Sequence, residues 1–101
     1  MGIFELAKEI STVALLISEN NTKLAFQLLS KIVKKLDVND DDYASITVNY
    51  HNPLVSDYDF VAACSRILYH LAVAFISDSK VSLNNAKVEI INLYNELAKA
   101  L

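Results

Sequence analysis

One glycine and one proline in 101 residues constrain this chain more than any other feature. A protein of many strands needs a turn signal every ~8–12 residues, and these two breakers cannot supply that number. Gly2 stands at the very start, and Pro53 falls inside the only stretch without helical periodicity. Long helices joined by polar caps are what remains. With 53% hydrophobic residues, the chain has enough apolar material for one core without help from metals or disulfides. Its one cysteine, Cys64, excludes an internal disulfide and any zinc site built from several thiolates.

The 3.6-residue period locates four helices, at about 3–18, 22–36, 57–77 and 84–100. The first carries Phe4, Ala7, Ile10, Val13/Ala14 and Ile17 on one face. Asn20, Asn21 and Thr22 offer short polar side chains to cap the second. Its inner stripe is Ala25, Leu28/Leu29, Ile32 and Leu36, and its other face bears Lys23, Gln27, Lys31 and Lys34. Ser56 and Asp59 form a capping box for the third helix. Asp78, Ser79 and Lys80 then turn the chain. The fourth helix starts from Asn84, with Leu83 stapled on Val88 and an inner stripe of Ile90/Ile91, Tyr94, Leu97/Ala98 and Leu101. The expected architecture is an all-α, antiparallel up-down four-helix bundle in a single domain, 1–101.

Residues 37–56 form the expected linker between helices two and three. Charge is segregated around it: residues 1–36 carry five Lys and three Glu, 37–59 carry six Asp and no base, and 60–101 carry four bases and three acids. The acidic run Asp40–Asp42 reads either as a solvated loop or as a place where a basic partner docks. Ser45–Tyr50 alternates in a β-like way but has no partner strand. Asp37, Asn39 and Asp41 have the two-residue spacing of a calcium loop. However, Asp42 stands where such a loop needs Gly, and Val48 where it needs a bidentate Glu.

A net charge of −3 argues against a protein that coats nucleic acid. The N-terminus lacks the basic region and apolar core of an export signal, and Leu6 stands where a myristoylation motif needs Ser or Thr. Residues 60–76 hold 14 apolar side chains of 17, but Arg66 interrupts them, so a bundle helix is expected there rather than a transmembrane segment. The expected location is the cytoplasm.

Arg66 and His70 lie four apart on one face. They read either as a structural polar strip or as the working pair of a helical ribonuclease-like or toxin–antitoxin subunit. His51, His70 and Cys64 are too scattered for a metal site, and Cys64 lacks an argued activating neighbour. Tyr43, Tyr50 and Tyr58 around the linker form a contact patch or lid the bundle. No Gly-rich loop, hydrolase elbow or carboxylate pair is present, so the chain reads as a binding protein with no cofactor and no catalytic residues. A generic helical adaptor is the alternative to a dedicated partner.

The second half of the chain resembles the immunity proteins of pediocin-like (class IIa) bacteriocins. The likeness rests on Arg66-Ile67-Leu68-Tyr69 and the apolar helix after it, on Lys80-Val81-Ser82-Leu83-Asn84, and on Asn95-Glu96-Leu97-Ala98. It covers roughly residues 60–100. The resemblance implies an antiparallel four-helix bundle in the cytoplasm of a Gram-positive bacterium, protecting it from a pore-forming peptide. The implied partner is the bacteriocin-receptor complex, the mannose phosphotransferase permease engaged by the bacteriocin. The implied recognition surface is Asp78, Ser79 and Lys80 with Asn92, Asn95 and Lys99 on the outward face of helix four.

Overall fold

A computed structural model of the protein describes residues 3–38 and 60–99. These form four helices: α1 (Ile3–Ser18), α2 (Thr22–Val38), α3 (Phe60–Ser77) and α4 (Lys80–Lys99). Among the described residues there is no strand. The acidic run Asp40–Asp42, the tyrosines Tyr43, Tyr50 and Tyr58, His51, the Ser56/Asp59 capping box and Leu101 lie outside them. So does most of the expected linker, although α2 runs two residues into it.

Each helix packs on two others. α1 lies against α2 and α4, and α3 lies against α2 and α4, which closes a ring around a shared core. α1 contributes Leu6, Ala7, Ile10, Val13 and Ile17 to that core, and α2 contributes Ala25, Leu29 and Ile32. From α3 come Phe60, Ala63, Cys64, Ile67 and Leu71, and from α4 Ala86, Ile90, Leu93 and Leu97. Every stripe keeps the i, i+3/i+4 spacing of one helical face. Glu9 Oε1 and Lys35 Nζ pair at 3.7 Å across α1 and α2, and Arg66 Nε donates to both carboxylate oxygens of Glu89 at 3.1 Å across α3 and α4.

The joints are short because their residues stop and restart helices economically. At the end of α1, Asn21 N–H donates to Leu16 C=O at 2.8 Å and Asn20 N–H to Ile17 C=O at 3.0 Å, the paired bonds of a Schellman stop. Asn20 supplies the left-handed residue that this motif needs, with φ of 62°. Asn21 C=O then accepts the first bond of α2, from Ala25 N–H at 3.0 Å. Asp78, with φ of 51°, makes the corresponding reversal after α3. Ser79 Oγ caps α4 by accepting from Ser82 N–H at 3.2 Å.

Three sequence expectations change. α4 begins at Lys80 rather than Asn84, because Ser79 supplies the cap and residues 80–83 complete a further turn. The inner face of α4 is turned relative to the expected stripe: Ile90 and Leu97 are buried, but Ile91, Tyr94 and Ala98 are exposed and Ala86 and Leu93 replace them. On α1, Phe4 is 74% exposed, while Leu6 takes the core position. α3 is long and apolar enough to cross a membrane, at a mean hydropathy of 1.6. In the bundle six of its eighteen residues are buried.

Candidate functional site

Two joints meet at one end of the bundle. Asn20 and Thr22 from the first joint, and Asp78, Ser79 and Lys80 from the second, line a cavity of about 240 Å³ together with Ala74 and Leu83. Three of the residues expected in the recognition surface therefore sit in one small cluster. Asp78 and Lys80 are exposed, while Ser79 is half-buried because its hydroxyl is committed to the cap. Asn20 and Thr22 are additions to that cluster. Each was legible in the sequence as a helix boundary, but only the packing of the two joints places them beside Asp78.

The other three expected residues form a separate group. Asn92, Asn95 and Lys99 are exposed and follow one another at i, i+3 and i+7 on the outer face of α4. Lys99 Nζ donates to Glu96 Oε1 at 3.0 Å, which directs its ammonium along the helix. The twenty residues from Lys80 to Lys99 span about 28 Å at a rise of 1.5 Å per residue. Exposed Val81 and Val88 share this outer face. The six residues thus make two polar patches connected by a mixed apolar strip, and the structure does not bring them into a single pocket.

The groups with chemical potential are individually accounted for. Arg66 is tied to Glu89 on α4. His70 is half-buried, lies edge-on to Tyr69 at 5.6 Å between ring centroids, and its buried Nδ1 has no hydrogen-bond partner among the described residues. Cys64 is fully buried, and desolvation pushes its thiol up to about 12 from 9.0, which holds it in the unreactive protonated form. Among the described residues no group of three His, Cys, Asp or Glu side chains is placed to hold a metal ion.

No protein family matches this chain, and no characterised protein or solved structure matches it significantly. The geometry offers exposed polar groups on short joints and one helix face, which suits reversible contact with another surface.

A larger cavity, of about 320 Å³, opens between α2 and α3. Lys23, Phe26 and Gln27 line it from α2, and Leu71, Ala72, Phe75 and Ile76 from α3. The sequence showed the lysine face of α2, but nothing in it required Phe75 and Ile76 to point outward beside that face. Those two side chains are 57% and 79% exposed.

Proposed function

We propose that the protein is a bacteriocin immunity protein, acting by noncovalent docking from the cytoplasmic side on the bacteriocin-engaged mannose phosphotransferase permease. The observation that carries this reading is the pattern of residues 66–98, which resembles the pediocin-like immunity family in the α3–α4 hairpin. Two short joints lining one cavity support an antiparallel up-down order of helices. Asp78 and Lys80 at the joint, and Asn92, Asn95 and Lys99 along α4, are the proposed contacts, with Ser79 holding the turn. Polar contacts of this kind fix orientation and register, while the apolar Val81 and Val88 beside them supply area to bury.

Expression in a bacteriocin-sensitive strain tests the reading, using a panel of pediocin-like peptides. Protection against at least one peptide is expected, and unchanged sensitivity to all of them, including any encoded beside the gene, would sink it. Lys80→Glu and Lys99→Glu should reduce protection while leaving the thermal midpoint almost unchanged. Lys80 is an exposed helix-end cation, and the Lys99–Glu96 pair is worth only ~0.3–0.5 kcal/mol. Parallel loss of stability and protection would make both residues structural.

A further inference from the structure

We infer that the outer face of α4 pairs with the same face of a second copy of this chain, antiparallel, in a two-fold symmetric dimer. Opposite the buried stripe of Ala86, Ile90, Leu93 and Leu97, the helix carries Val81, Asn84, Val88, Ile91, Asn95 and Ala98. All six are exposed, and they follow one another at alternating steps of three and four, the seam spacing of a two-stranded helix pair. The strip runs about 25 Å without a charged residue. A helix side that meets only water ordinarily carries charge, and asparagine is among the weaker helix formers, so this composition does not serve the isolated helix. α4 packs between α1 and α3, which makes it a corner of the ring. Its outer side can therefore meet another helix at the usual ~8–10 Å between axes.

The strip reads the same from either end, and that selects a second copy as its occupant. Laid antiparallel about a centre between Glu89 and Ile90, Val88 meets Ile91 of the other copy, Asn84 meets Asn95, and Val81 meets Ala98. Each meeting occurs twice, as an isologous contact requires. Apolar groups thus face apolar groups, and each asparagine faces an asparagine, whose amide both donates and accepts. Such a polar pair inside a seam fixes its register. Charge then chooses the direction. In the antiparallel pair, exposed Asp78 at the joint comes level with exposed Lys99 of the other copy, giving two ion pairs, and the two helix dipoles oppose. A parallel pair would gather both Asp78 side chains at one end and both Lys99 side chains at the other.

A contact one helix wide and about 25 Å long is small beside a permanent dimer interface, so the pairing is reversible and forms at roughly micromolar concentrations or above. It covers Asp78, Asn95 and Lys99, so the second copy and the proposed receptor complex compete for one face. The inference itself rests on α4 alone and does not depend on the immunity reading.

Sedimentation velocity of the full chain from about 5 to about 500 µM tests it. The expected result is a shift from monomer to dimer mass across that range. Val88→Glu should weaken the dimer at least about tenfold. Circular dichroism should show this variant folded, because Val88 is exposed and outside the core. Asp78→Lys and Lys99→Glu should each weaken the dimer about fivefold, since each enters twice, and together they should restore it. Monomer at every concentration, or a dimer indifferent to Val88→Glu, would overturn the inference. So would a double variant no tighter than either single one, because the two charges would then not face each other across the seam.

Discussion

Cys64 shows how one buried group controls a solution property of the whole chain. In the folded protein its thiol is pushed up to about 12 by burial, whereas its unshifted value is 9.0. Between these two values the unfolded chain has lost the thiol proton and the folded chain retains it. Stability therefore falls as pH rises through that window, by up to about 1.4 kcal/mol per pH unit from this group alone. Urea titrations from pH 8 to 12 should show a steeper decline for the wild type than for Cys64→Ala. Equal slopes would show that the thiol ionises freely in the fold. Other residues act locally. The Arg66–Glu89 pair is exposed enough that its contribution stays within about 1 kcal/mol.

At the scale of elements, α1 and α2 were legible because their apolar residues concentrate on one face and their boundary residues have distinct roles. Ala25, Leu29 and Ile32 are buried as the period requires, and Asn20 and Asn21 stop one helix and start the next. α4 was harder because it is apolar on several faces. Ile90 and Leu97 belong to two stripes of equal periodicity, one continued by Tyr94 and the other by Leu93. Periodicity alone cannot choose between them; the flanking positions of α1 and α3 make the choice. Leu93→Ala should consequently cost ~2–5 kcal/mol, because it removes a fully buried side chain. Ile91→Ala should change stability by no more than about 0.5 kcal/mol, because Ile91 is 55% exposed. Denaturant midpoints of the two variants would separate the stripes, and a reversed order would put α4 the other way round. The candidate contact residues divide in the same manner. The Asp78–Lys80 turn was readable from its composition, while the joining of that turn to Asn20 and Thr22 arises only from how the two hairpins meet.

At the scale of the molecule, the ring of contacts decides how the protein comes apart. Two helix pairs with short joints could each form a local unit, but neither encloses its own apolar face. α1 needs α4, and α2 needs α3, to complete the core. Leu29 on α2 and Leu97 on α4 have no exposed surface, and both belong to the one continuous cluster. Unfolding one hairpin would expose the inner stripe of the other, so the two should open together. Amide hydrogen exchange in low urea gives the direct measurement. The slowest amides of α2 and of α4 should report the same opening free energy. Leu29→Ala should lower both by the same amount, ~2–5 kcal/mol, although the substitution lies in only one hairpin. If α2 amides lose protection while those of α4 keep theirs, the hairpins are independent units and the shared core contributes little. Equal loss would mean that any partner docking on α4 draws on stability supplied by all four helices.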